Sequence, residues 1–570
     1  MGTLRFAHPA RILALLLLAA TAHAEPRSGI GINLDQPAYW QSDWPYIDEL
    51  KRAGGWFTRC DPWSMPQCRD FANGASANDT KEQDKLELDA DGWAKRLPAA
   101  DDNRVKFRHL AALLFQGNGG ANPAGRYVVL HDGDGTIAYR GAKKIEAQSK
   151  PGRDVLEVAK GEPVTLVVTR IDPANHLRNI RVVGPGGVCA DAPPAWVEDA
   201  SKCRAASAFR SLEQLSAAQT FHPAYVADLR GLRVLRFMKW SGANTSKLVR
   251  WDDRPKPGDA LWNRDDGVPY EAMFELAALT GTDPWINMPV SVDDDFARRF
   301  AQLAKRALKP GSVLWFEYGN EPWNTAPPYG QAGVLFEEKA RARWPGAGAA
   351  PWQLRLNWYA LRSVQLCRVV KKEFGADAAR VHCVAGSQAA NAAVSETILG
   401  CELAKKELGD RCSRDFDALA IAPYFGYRIG DNAWTADPDG GLDKVFREID
   451  AGLEQTKGWV VASKKVADQH GLPLIAYEGG QHLFTGRGGK TEAMLHAANR
   501  DPRMGAAITR LVDDWKAAGG QLFVAFSYTQ QPGGGGFWGM KEHQRDDAAP
   551  KWRAIKALRD QACWWRGCAR

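Results

Sequence analysis

The sequence predicts an α/β fold: a (β/α)8 TIM barrel with an all-β, sandwich-like insertion between barrel strands 1 and 2. Three observations predict it. After residue 205, short and nearly continuous apolar runs alternate with amphipathic stretches. That is the pattern of buried parallel strands and the helices covering them. With one run near the N-terminus, the count of such strands reaches eight, the number that closes a barrel. Residues 86–183 instead show period-2 alternation and glycine-rich turns, with no strong helical period.

The first strand is 30–34 (IGINL), followed by a helical stretch over 43–53. The other seven are 233–239 (RVLRFMK), 284–289 (PWINMP), 313–319 (VLWFEYG), 380–387 (RVHCVAGS), 416–424 (FDALAIAPY), 473–478 (PLIAYE) and 521–528 (QLFVAFSY). Helices are expected over 294–308, 356–374, 442–470, 502–518 and 550–561. In the first of these, Phe296, Phe300, Leu303, Ala304 and Ala307 recur close to a 3.6 period. Gly471 and Gly519-Gly520 are stop signals after two others. Asp293-Asp294-Asp295 reads as an acidic helix start, because adjacent helical side chains fan apart rather than converge on one ion.

In the insertion, 126–130 (RYVVL) and 136–139 flank His131-Asp132-Gly133-Asp134-Gly135 and are expected to form a hairpin. Runs 155–158, 163–170 and 177–183 continue the pattern. The resulting plan is a signal peptide over 1–24, a first β/α unit over 25–80, the insertion over 81–190, and the rest of the barrel over 191–570.

The leader rests on Arg5 and Arg11, an apolar run from Ile12 to Ala20 too short to span a bilayer, and Ala22-His23-Ala24 as a small-x-small cleavage site. The mature chain is therefore expected in the periplasm or outside the cell, with no membrane anchor. Formal net charge is +7, and +5 without Arg5 and Arg11. The basic residues are scattered, which argues against a nucleic-acid footprint. The ten cysteines fall into neighbours: Cys60/Cys68, Cys189/Cys203, Cys367/Cys383, Cys401/Cys412 and Cys563/Cys568. Disulfides suit an exported chain, although spacing alone does not fix their connectivity. With no CxxC pair or matching histidines, no metal and no cofactor is expected. A monomer is the expected state.

The 22 tryptophans are the unusual compositional feature. Trp240, Trp251, Trp262, Trp323, Trp434 and Trp538 sit beside Asp, Asn or Gly in apparent loops. A flat apolar ring there suits the C–H face of a pyranose, with core packing as the alternative for each.

Two carboxylates stand at strand ends. Glu321 closes the fourth run in Trp315-Phe316-Glu317-Tyr318-Gly319-Asn320-Glu321-Pro322-Trp323-Asn324, and Glu478 closes the seventh in Tyr477-Glu478-Gly479-Gly480. Strands four and seven lie across a barrel mouth from each other, and catalytic groups gather at the C-terminal strand ends. Paired carboxylates facing across a cleft point to glycosidic-bond hydrolysis. Trp315, Tyr318 and Trp323 are expected to desolvate Glu321 and so raise its pKa. Glu317 is either a barrel-layer residue or a group behind the site. Asn287 either reaches the mouth or bonds backbone, and His482 follows the second glutamate as a loop residue.

On Gly319-Asn320-Glu321-Pro322, Tyr477-Glu478-Gly479 and the strand order, the barrel resembles the clan of retaining (β/α)8 glycoside hydrolases with catalytic glutamates after strands four and seven. The resemblance covers roughly residues 29–58 and 205–560 and leaves out the insertion. It implies Glu321 as general acid/base and Glu478 as nucleophile, about 5–5.5 Å apart. It implies Asn320 on the sugar 2-hydroxyl, Tyr424 holding the nucleophile, and Arg236 as the strand-two arginine paired with it. With Trp240, Trp323 and Trp538, these form the substrate side of the expected site. The chain is also similar to bacterial exported proteins labelled cellulose-binding, which share Tyr-x-Asn-Glu-x-Trp-Asn and Tyr-Glu-Gly-Gly-Gln. Two functional readings stand: a retaining hydrolase of a polysaccharide such as cellulose or another β-glucan, and a carbohydrate-binding protein without turnover. Endo and exo action both stay open.

Overall fold

Eight parallel strands close on themselves in chain order: β1 Ile30–Asn33, β2 Val234–Arg236, β3 Asp283–Met288, β4 Leu314–Tyr318, β5 Val381–Gly386, β6 Ala418–Ile421, β7 Leu474–Ala476 and β8 Phe523–Ala525. The computed structural model describes residues 28–61, 68–327, 329–427, 429, 437, 439–485, 491–533 and 535–569. The expected leader over 1–24 and Trp434 lie outside these residues.

Alternation along the strands divides two environments. Val234, Trp285, Trp315, Val384, Ala418, Ala420, Ile475 and Val524 fill the barrel interior. Leu235, Ile286, Leu314, Phe316, Leu419, Leu474 and Phe523 face the surrounding helices. The same period puts Arg236, two residues after Val234, and Glu317, two after Trp315, inside the barrel. Tyr318 points outward and stacks with Tyr359 at 6.1 Å.

The helical ring follows the expected units, with one exception. No α-helix forms over 43–53; that stretch carries only a 3-10 turn, Glu49–Arg52. The ring position between β1 and β2 is filled by Pro223–Leu229, beyond the insertion. Pro223 supports this helix at its first turn, and Tyr225, Val226 and Leu229 are buried in the barrel's outer core. Over 43–53 the apolar residues instead serve two partners: Tyr46 joins the barrel core, and Leu50 and Ala53 join the core of the insertion. The acidic triplet behaves as a helix start, with Asp293 accepting from Phe296 N at 2.7 Å to cap Asp294–Ala307.

The insertion is two four-stranded antiparallel sheets. Leu110, Ala112, Leu166 and Val168 of one sheet, and Tyr127, Val129, Leu156 and Val158 of the other, share one core. Its strands begin at Phe57–Arg59, which pairs with His109–Leu114, ahead of the expected start at residue 81. The expected hairpin is absent. Gly125–Asp132 pairs with Arg153–Val158 and Arg178–Val183, whereas Gly135–Arg140 pairs with Val164–Ile171 in the opposite sheet. The glycine turn therefore arches between sheets. Alternation marks each strand's buried face but not which strand lies beside it. Asp48, which accepts from Val182 N at 2.9 Å, ties the sandwich to the barrel's first unit.

Four disulfides join sequence neighbours: Cys60–Cys68, Cys189–Cys203, Cys367–Cys383 and Cys401–Cys412. Cys563 is also disulfide-bonded. Among the described residues, no helix is long and apolar enough to cross a membrane.

Candidate active site

At the C-terminal ends of the strands the ladder breaks and the backbone turns its side chains inward. Past β6 and β7 the chain pairs again as a small parallel sheet, Tyr424 with Gly480 and Phe425 with Gln481. This second pairing brings Tyr424 to Glu478: its hydroxyl donates to Oε2 at 2.8 Å. Past β4, Gly319 and Glu321 both take left-handed backbone, with φ of 65° and 48°. A non-glycine residue there is strained, and such strain gathers at functional sites. The turn aims Glu321 into a cleft of about 900 Å³ that Glu478 also lines.

The two carboxylates have unlike partners. Glu478 Oε1 accepts from Arg236 Nη1 at 2.8 Å. Among the described residues, the donors to Glu321 are neutral, the Tyr477 hydroxyl at 3.0 Å and the Asn324 amide at 2.8 Å. Burial is the main force on both and pushes both upward: Glu321 lies above the ordinary carboxylate range, and Glu478 is raised to about 7. Arg236 opposes the rise at Glu478, but its charge is divided.

Arg236 is fully buried inside the barrel. Its Nε and Nη2 donate to Glu317 at 3.1 and 2.9 Å, Nη1 to Glu478 and to Asn33 Oδ1 at 3.1 Å, and Nη2 also to Asn320 Oδ1 at 2.8 Å. Every N–H of the guanidinium thus has an acceptor. Trp285 Nε1 adds a donor to Glu317 at 2.8 Å. One cation serves two carboxylates, and at Glu478 it and the Tyr424 hydroxyl only partly offset burial and the nearby Glu321 charge, so the pKa stays high despite the ion pair.

The expected substrate-side residues separate into groups. Tyr424, Trp323 and Trp538 line the cleft. Arg236 does not reach it and contacts carboxylates instead. Asn320 is 4% exposed, with its Oδ1 on Arg236 and its Nδ2 on Asn244 at 3.3 Å; the asparagines that line the cleft are Asn244 and Asn324. Trp240 is a correction: it is 0% exposed, packs on Phe221 and Phe237, and spends its N–H on the Asp35 carbonyl. Trp251 and Trp262 are core residues as well. Loop neighbours in sequence did not reveal that these loops fold back over the barrel. Of the three aromatic residues expected to desolvate Glu321, only Trp323 lines the cleft, since Trp315 is inside the barrel and Tyr318 outside it. Asn287 bonds backbone, donating to Gly319 O at 2.9 Å beneath the strained turn.

Several cleft residues escaped the sequence reading: Lys239, Tyr329, Tyr427 and Trp459. Trp459 lies within the long helix Leu442–Gln469, where a helical period gives no hint of a role at the barrel mouth. Lys239 was legible as strand-two material, but its ion pair with buried Asp35 was not. The Cys189, Asp191 and Cys203 grouping is no metal site, because the two cysteines are joined in a disulfide.

No protein-family model and no curated protein matches the chain. Among solved structures, an α-L-arabinofuranosidase from Thermotoga maritima aligns at 13% identity over 65% of this chain and 66% of its own length, with TM-score 0.35. A family 1 β-glucosidase from Thermotoga maritima aligns at 11% identity over 60% and 86%, with TM-score 0.35. A fungal β-1,4-galactanase aligns at 12% identity over 59% and 91%, with TM-score 0.32. The chain spans less than two thirds of the length of the arabinofuranosidases it resembles. Likeness at this level carries no argument about activity; the barrel is shown by its own closed sheet.

Proposed function

We propose that the chain is an exported retaining glycoside hydrolase that cleaves a polysaccharide, a β-linked glycan such as cellulose or another β-glucan, by double displacement. The observation that carries this reading is the unlike pairing of two carboxylates in one cleft, Glu478 buried and Glu321 partly buried. Glu478 has a cation and a phenol to stabilise its charge; among the described residues Glu321 is hydrogen-bonded by a phenol and an amide and by no cation. The reactive form has Glu478 ionised, its charge stabilised by Arg236 and Tyr424, and Glu321 protonated; with Glu478 raised to about 7, this form builds up as pH approaches that value.

In the first step Glu321 protonates the leaving glycosidic oxygen while Glu478 attacks the anomeric carbon, giving a glycosyl-enzyme ester. In the second, Glu321 removes a proton from water as the water displaces Glu478, and the anomeric configuration is retained. Tyr424 and Arg236 hold the Glu478 carboxylate in place and favour its charged form. The disulfides and the expected leader support an oxidising compartment outside the cytoplasm.

The test is release of reducing ends from a panel of β-glucans by the parent protein and by the Glu321→Gln and Glu478→Gln variants. Loss of about 10³-fold or more in both variants supports the mechanism. Equal rates overturn it. Affinity for insoluble cellulose with no release from any glycan would establish the carbohydrate-binding alternative, which the aromatic lining of the cleft also suits.

A further inference from the structure

The cleft that holds the two glutamates is also lined by a connected run of aromatic rings. Trp538, on the loop after β8, lies 5.4 Å from His482, after β7; His482 lies 4.4 Å from Tyr427, after β6. Trp459, on the helix Leu442–Gln469, continues the run 6.2 Å from Tyr427. All four line the same cleft. Core packing does not account for all of their surface: Tyr427 is 50% exposed, and the other three are only partly buried, Trp538 with one side against the barrel core.

The chemistry of the run is uniform. Trp538 Nε1 donates to His482 Nδ1 at 3.1 Å, so Nδ1 presents its lone pair and the ring proton sits on Nε2. Burial pulls the imidazole down to about 4, so above that pH the ring is neutral. The four residues therefore present uncharged ring faces with polar edges. Lys239 elsewhere in the cleft is tied to Asp35. A pyranose presents an apolar C–H face ringed by hydroxyls, which matches rings that are apolar in the middle and wet at the edge. Among the described residues of this wall, an anionic chain meets no counter-charge.

We propose that Trp538, His482, Tyr427 and Trp459 form a run of sugar platforms that holds a neutral glycan chain beyond the unit at Glu321 and Glu478, so that the ligand is a polymer engaged over several units rather than a terminal sugar. The cleavage position rests on the hydrolase reading above; binding along the run does not require turnover.

The experiment uses the full chain with cellohexaose and a β-1,3-glucan hexasaccharide as probes, and their disaccharides as controls. Binding is measured by calorimetry in the Glu478→Gln background, with and without Tyr427→Ala or Trp459→Ala. Thermal melts check that each variant is folded, and Tyr427, being half exposed, is the safer truncation. The expected result is hexasaccharide binding at least tenfold tighter than disaccharide, with that preference falling about three- to tenfold on loss of either ring. Hydrolysis of the same probes by the parent and the two truncations should show the same fall in the ratio of kcat/KM. An undiminished length preference in both truncations, or no binding of either hexasaccharide, overturns the platforms. Length-dependent binding that the truncations weaken, with no hydrolysis by the parent, keeps the platforms and overturns the hydrolase reading.

Discussion

The Tyr477 hydroxyl donates to Glu321 Oε1 at 3.0 Å, so the residue immediately before Glu478 reaches across the barrel mouth to the other glutamate. Arg236 sits against the face of the same ring, 4.9 Å from its centroid. Tyr477 thus separates the buried cation from Glu321 while tying β4 to β7. It is the physical reason the two carboxylates share a cleft yet differ in electrostatics.

The divided charge of Arg236 predicts opposite shifts from two neighbours of Glu478. Glu317→Gln removes the competing anion, leaves more of the guanidinium charge for Glu478, and lowers its pKa. Tyr424→Phe removes a donor to the charged form and raises it. The acid limb of a kcat/KM–pH profile should move down in the first variant and up in the second, each by roughly one unit. Shifts of the same sign would contradict the shared-cation account.

Stability should report the same carboxyl. Its folded pKa, about 7, lies above the ordinary value of 4.5. The folded state therefore binds the proton more tightly than the unfolded state, and stability falls as pH rises between those values. Glu478→Gln removes the titration. Urea unfolding across pH 5–8 should show the parent losing on the order of 1–3 kcal/mol relative to this variant. Parallel pH profiles would count against the raised pKa.

The left-handed backbone at Glu321 predicts a conflict between stability and function. Glu321→Gly relieves the conformation, whereas Glu321→Ala retains a Cβ in it. The glycine variant should be more stable than the alanine variant by about 1 kcal/mol, the reverse of the usual order. Both should lose the hydrolysis proposed above. Urea midpoints of the two variants decide the point.

Trp240 provides a test of core against platform. As a fully buried side chain with its N–H satisfied, it should cost about 3–5 kcal/mol on replacement by alanine. Denaturant unfolding measures this directly. A loss below 1 kcal/mol would show that the ring does not carry the packing seen around it.

The local periods of the chain were enough to determine the barrel. Runs such as 313–319 and 473–478 are apolar on both faces, which only strands covered on both sides require, and their order placed Glu321 and Glu478 at opposing strand ends. Period 2 from Trp315 also contained the inward direction of Glu317. What the sequence left open is which faces meet. The arch at Gly133, the burial of Trp240, the replacement of a helix over 43–53 by Pro223–Leu229, and the arrival of Trp459 at the cleft all depend on contacts between segments distant along the chain. A local period states which residues share a face; only closure of the tertiary structure decides what that face is pressed against. Closure likewise placed Arg236 against Glu478 and the Tyr477 ring between that cation and Glu321, and from that arrangement the unlike environments of the two glutamates follow.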